Sequence, residues 1–122
     1  MIRLFVILFI TISVVAKRPA PEIYRIYKSG GFVKTTIYKV KGHQVNKKCY
    51  QKLSKCMAIR KLVAVIKGYT KDSRYRSIAG HPAAIRCKEL KGKYKILHKD
   101  YNRIGFCRFK DGSMINAWSL VK

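Results

Sequence analysis

His43, His81 and His98 stand in a chain that carries 28 Lys and Arg. Two imidazoles and a cationic group at one phosphate are what a small basic ribonuclease needs. One ring takes a proton, the other returns it, and the cation holds the anion. The surroundings of these histidines argue against that chemistry. His43 adjoins a glycine turn and His98 ends a predicted strand, so both are expected at the surface. No Ser-His-Asp or Cys-His arrangement accompanies them. The 5 Asp and Glu form no close pair, which argues against hydrolysis by paired carboxylates. Cys49, Cys56, Cys87 and Cys107 follow one another at spacings of 7, 31 and 20. There is no C-x-x-C and no neighbouring His pair, so neither a zinc site nor any other metal or cofactor is expected. The sequence reads as non-catalytic.

What the residues do offer is charge. The formal net charge is +23 with 48% apolar residues, too apolar for a disordered basic arm. Residues 17–76 hold 17 basic and two acidic residues. The excess is densest at Lys47, Lys48, Lys52, Lys55, Arg60 and Lys61, the expected polyanion-binding set. A field this one-sided draws a protein to anionic lipid, lipopolysaccharide, teichoic acid or nucleic acid. Tyr24, Tyr27, Tyr38, Tyr50, Tyr69, Tyr75, Tyr94 and Tyr101 are interleaved with Lys and Arg, a pattern that can stack bases. No RNP-like motif accompanies them, and tyrosine in strands is expected to pack within a sheet. Trp118 is the single tryptophan and is expected in the core, over a helix–sheet seam.

The elements that must position these groups follow from the pattern. Met1-Ile2-Arg3 is a short basic start, and Leu4–Val15 is apolar except for Thr11 and Ser13. Val14 and Ala16 place small residues where a signal peptidase reads. This is the layout of a secretory signal peptide, too short to span a bilayer comfortably, with a short N-terminal membrane anchor that stays uncut as the alternative. Residues 1–16 are therefore expected to be removed, leaving a net charge of +22 in a secreted or periplasmic protein. Export would put the cysteines where disulfides form.

Residues 17–67 form a basic hairpin–helix region. Ile23–Lys28 and Phe32–Lys41 read as strands joined by Ser29-Gly30-Gly31. From Val45 to Ile59, the residues Val45, Cys49, Tyr50, Leu53, Cys56 and Met57 recur at helical spacing, which predicts one amphipathic helix with a basic outer face. Leu62–Ile66 is either a buried strand or its continuation. Residues 68–78 read as a loop. In 79–122, His81-Pro82 opens a helix with Pro at its first position, and Gly92 ends it. Lys93–His98 and Arg103–Lys110 read as strands around Asp100-Tyr101-Asn102. Asp111-Gly112 suits a two-residue hairpin turn, and Ser113–Trp118 follows as a third strand or terminal turn. The expected fold is α+β: one helix packed on a small antiparallel sheet, extended by an N-terminal hairpin and a second, basic amphipathic helix.

The ordered set HPAAIRC, a glycine, a strand, GFCRFKDGS and AWSL resembles a bacterial domain. It is similar to the small domain of exported proteins that carry the name hemolysin, domain of unknown function 333. The pattern is carried by Pro82, Ala83, Cys87, Gly92, Cys107, Asp111, Gly112, Trp118 and Leu120, and it covers about residues 79–121. His81 stands where relatives have Asn, Met114 where many have a third Cys, and Asn116-Ala117 where relatives are acidic. The fourth family Cys lies beyond the chain's end. Two family cysteines missing together implies that the remaining two, Cys87 and Cys107, bond each other. His81 in the Asn position implies a helix cap. The family name implies membrane activity as an alternative function. Cys49 and Cys56 would lie about 10.5 Å apart in a continuous helix, beyond disulfide reach. Either that helix breaks and they pair, or both stay reduced, or they link to the second half.

Overall fold

The computed structural model describes residues 20–68 and 81–121. The expected signal peptide and most of the 68–78 loop lie outside these residues. Among the described residues there are six strands, β1 (Glu22–Lys28), β2 (Gly31–Val40), β3 (His43–Asn46), β4 (Lys93–Lys99), β5 (Asn102–Arg108) and β6 (Met114–Asn116). Three helices accompany them in the same residues: α1 (Lys47–Gln51), α2 (Met57–Ile66) and α3 (Pro82–Glu89). Leu53–Lys55 and Ala117–Leu120 are 3-10 turns.

The expected small sheet with one packed helix is not what forms. The strands close an antiparallel barrel in the order β1-β2-β3-β6-β5-β4, with β4 returning to β1. The difference turns on β3. Lys41 and Gly42, both at positive φ, make a tight turn that sends His43–Asn46 back along β2. β3 then reaches β6 at Val45↔Ile115. β1 meets β4 at Arg25↔His98 and Ile26↔Leu97, so no edge is left open. The hairpin turn Ser29-Gly30, likewise at positive φ, serves β1 and β2. The β5–β6 turn is longer than two residues: Phe109 N–H donates to Ser113 O and Gly112 N–H to Phe109 O.

A barrel this narrow is filled by its own side chains. Tyr24, Ile26, Ile37, Leu97, Phe106 and Met114 form that interior. One end is polar. The Tyr24 hydroxyl donates to Glu22 at 2.9 Å and accepts from Gln44 at 3.0 Å. Asn116 donates to Gln44 at 2.9 Å, and Lys99 lies 3.1 Å from Glu22. The bonds from Tyr24 and Lys99 hold the Glu22 carboxyl below its ordinary pKa.

The helices cover a second core on the outer side of β3, β6 and β5. It holds Val45, Cys49, Cys56, Ala58, Leu62, Val65, Cys87, Cys107, Phe109, Ile115 and Leu120, among others. The single helix expected over Val45–Ile59 is broken. Val45 is in β3, Lys52 leaves helical geometry (φ −142°, ψ 66°) and Cys56 is extended. Those two breaks bring the Cys49 and Cys56 Cα atoms to 5.0 Å, and the cysteines are disulfide-bonded. Cys87 and Cys107 form the second disulfide, Cα atoms 5.5 Å apart. Gly92 lies against it: a Cβ there would collide with the Cys107 sulfur.

Helix α2 has no side-chain cap from Cys56. Its cap comes from the β5–β6 turn. Asp111 Oδ2 accepts the Met57 N–H at 2.9 Å, and Ser113 Oγ accepts the Ala58 N–H at 3.1 Å. Burial alone would raise the Asp111 carboxyl. The bonds from Ser113 and Met57 outweigh it and hold the pKa below its ordinary value. A carboxylate depressed in the folded state contributes stability above its unfolded pKa of about 4 and loses it as the pH falls through the folded value. Asp111→Ala is expected to cost about 1 kcal/mol near neutral pH. That deficit narrows as the medium is acidified below about pH 4, which denaturant titrations at the two pH values would check.

Candidate functional site

Alternation along the strands sorts residues into and out of the barrel. Tyr24 and Ile26 face the interior, so Arg25 and Tyr27 face outward. The register then aligns outward residues across four strands. Lys34 is opposite Arg25, Arg25 opposite His98, and His98 opposite Arg103. Two residues along, Phe32 is opposite Tyr27 and Ile96 is opposite Gly105. A basic row and an apolar row therefore run side by side over β2, β1, β4 and β5.

Phe32 ties the two rows together. Its ring meets Tyr27 edge-on at 5.5 Å and His98 at 5.4 Å, and the Arg25 guanidinium lies 5.6 Å from its centre. Tyr27 is nonetheless 59% exposed and Phe32 57%. Like charges directly opposite one another destabilise a sheet, and here three outward Lys and Arg share one row. Among the described residues none of Lys34, Arg25 and Arg103 has an ion pair. Of the four described carboxylates, Glu22 pairs with Lys99, Glu89 with Arg86 and Asp111 caps α2, while Asp100 lies in the β4–β5 turn beside Lys99 and forms an ion pair with none of the row residues.

The rows run into an open cleft of about 490 Å³ lined by His81, Tyr94, Ile96, Arg103, Gly105 and Trp118, among others. Gly105 has no Cβ because the Tyr94 phenol lies across it. Burial pushes the Tyr94 hydroxyl above its ordinary pKa, so it stays a neutral donor. His81 caps α3, its Nδ1 accepting the Ala84 N–H at 3.3 Å. Its ring stands 5.7 Å from Tyr94 and 4.9 Å, edge-on, from Trp118. Asn116 accepts the Trp118 N–H at 3.0 Å and opens the final 3-10 turn. Trp118 is 49% exposed, so the core position expected for it is wrong. With β6 only three residues long, the chain turns at Ala117 and leaves the indole on the rim.

The expected polyanion-binding residues are divided among short segments. Lys47 and Lys48 are on α1, Lys52 at its end, Lys55 in the 3-10 turn, and Arg60 and Lys61 on α2. All are exposed except Lys61, which is half-buried. Lys48 reaches back over Gly112. Pro82 holds the first position of α3. His43 accepts or donates one hydrogen bond, with Ser119 at 2.9 Å. It belongs to β3 while His98 belongs to β4, on opposite sides of the ring of strands, so they do not meet at one phosphate. Among the described residues no group of three potential metal ligands occurs. The row Lys34–Arg25–His98–Arg103 escaped the sequence reading. Alternation puts Arg25 with Tyr27 and Phe32 with Lys34, but joining them to His98 and Arg103 requires a pairing across about 70 positions.

Residues 79–122 match the family model described as Domain of unknown function (DUF333). That stretch spans α3, β4, β5, β6 and the final 3-10 turn, and so supplies half of the barrel's strands. No curated protein and no solved structure matches the chain.

Proposed function

We propose that this is a non-catalytic, exported protein that binds anionic envelope or host surfaces. The observation that carries the reading is the outward basic row Lys34–Arg25–His98–Arg103, which no carboxylate opposes among the described residues. Such a row costs stability in the free protein and is relieved by a bound polyanion. The two disulfides suit an oxidising compartment, and among the described residues no helix is long and apolar enough to cross a membrane. The lysines of α1, the following turn and α2 extend the positive field. Membrane disruption by the Val45–Ile59 segment is less well supported, since its apolar residues Val45, Cys49, Cys56 and Ala58 are buried in the outer core.

The test compares wild type with Arg25→Gln/Arg103→Gln in binding to acidic vesicles, lipopolysaccharide and DNA at low salt. At about 1 kcal/mol for each cation near an anionic surface, the double variant is expected to bind about 30-fold more weakly. Equal binding by the two proteins, or no binding by wild type to any of the three, removes the proposal.

A further inference from the structure

We infer that the β2-β1-β4-β5 face takes single-stranded nucleic acid, with phosphates along the basic row and bases over Phe32, Tyr27 and the Trp118 cleft. This rests on the polyanion reading and narrows it to one ligand class.

The geometry supplies two parallel tracks. Four cross-strand positions follow an arc of about 14 Å at the ordinary strand spacing, curving around half of the ring from β2 to the opposite strand β5, and residues two apart along a strand lie roughly 7 Å from one another. One track is cationic and the other carries exposed rings. A single strand has the matching layout, with charges along one edge and flat unpaired bases along the other. Aromatic platforms beside a positive groove bind such strands without reading their order.

Competing ligands use only part of this surface. A sulfated or phosphorylated polymer without flat rings would leave Tyr27, Phe32 and Trp118 idle. A sugar needs planar acceptors for its hydroxyls, and the described cleft residues include no carboxylate or carboxamide. A lipid surface favours aromatic side chains that protrude. Here Phe32 is held among Tyr27, His98 and Arg25, and Trp118 stands edge-on to His81 along a concave cleft. A duplex hides its bases from such platforms.

Trp118 is the only tryptophan, so stacking in the cleft has its own optical signal. The full chain is titrated at low salt with a mixed-sequence single-stranded oligonucleotide, its duplex, inorganic polyphosphate of equal charge, and vesicles of anionic lipid. The single strand is expected to bind at least fivefold more tightly than polyphosphate and to quench Trp118 fluorescence. Tyr27→Ala/Phe32→Ala, at exposed positions, is expected to weaken the single strand by at least fivefold while polyphosphate binding holds. Thermal melts of the variant verify its folding, and quenching in the unaltered protein stands independently of it. Equal affinity for single strand and polyphosphate, or for single strand and duplex, with unchanged fluorescence overturns this inference but leaves the polyanion reading in place. Vesicle binding that needs Tyr27 and Phe32 while oligonucleotide binding does not also overturns it, and reassigns the rings to a membrane. Failure of all four probes to bind overturns both readings.

Discussion

Phe106→Ala is expected to lower the free energy of unfolding by about 3–5 kcal/mol. The ring is fully buried in the barrel interior and meets Tyr24 edge-on at 6.1 Å, with Ile26, Ile37, Leu97 and Met114 in the same cluster. The loss is placed at the upper end because the site cannot collapse. Closure on both sides of every strand fixes the barrel's radius, so the void persists and its lining atoms lose their partners. Domains have only about 5–15 kcal/mol in total, so the variant is expected near the edge of folding. Phe32→Ala, on the exposed face, is expected to change stability by no more than about 1 kcal/mol. Guanidinium titrations of the two variants give the contrast. Similar midpoints would mean that Phe106 does not fill the barrel.

Opening Cys87–Cys107 comes next in size. Closing a separation of 20 residues restricts the unfolded chain by roughly 3 kcal/mol, against roughly 2 kcal/mol for the separation of 7 between Cys49 and Cys56. Both cysteines of the longer bridge are fully buried, so Cys87→Ala/Cys107→Ala adds a packing loss as well. Unfolding curves of the two double-alanine variants are expected to rank in that order. The reverse ranking would show that the 20-residue bridge closes little of the unfolded ensemble.

The elements with strong local signals were legible. Glycine at the first hairpin, Pro82 at a helix start, and the alternation in Lys93–Arg108 each specify their own backbone, and they are where they were expected. The Cys87–Cys107 bridge was implied by the family resemblance, and it forms. What escaped depends on partners distant in the chain. β3 is four residues long, and its Val45 fits a helical repeat with Cys49 just as well as a strand. Only the register against Ile115 settles the choice, and with it the change from an open sheet to a barrel. The helical repeat also hid its own interruption, because Lys52 and Cys56 carry no breaker residue. The break is held by the disulfide and by Asp111 and Ser113, more than 50 positions away. The outward basic row was invisible for the same reason. Arg25 becomes a neighbour of His98, and so joins the His98–Arg103 hairpin pair, only once the barrel closes.

Neither disulfide crosses from the first three strands to the last three. Cys49–Cys56 lies wholly before residue 69 and Cys87–Cys107 wholly after residue 80. The barrel is two three-stranded meanders whose strands meet at one pair on one side and two on the other. Severing the backbone once between Gly68 and His81 would therefore leave two separate polypeptides, each with its own bridge intact, held together only by non-covalent contacts: the shared interior, the outer core, the strand pairs at the two seams, and side-chain bonds such as Asp111 to Met57, Asn116 to Gln44 and Lys99 to Glu22. A protease acting there would turn an intramolecular fold into a bimolecular complex whose integrity depends on dilution.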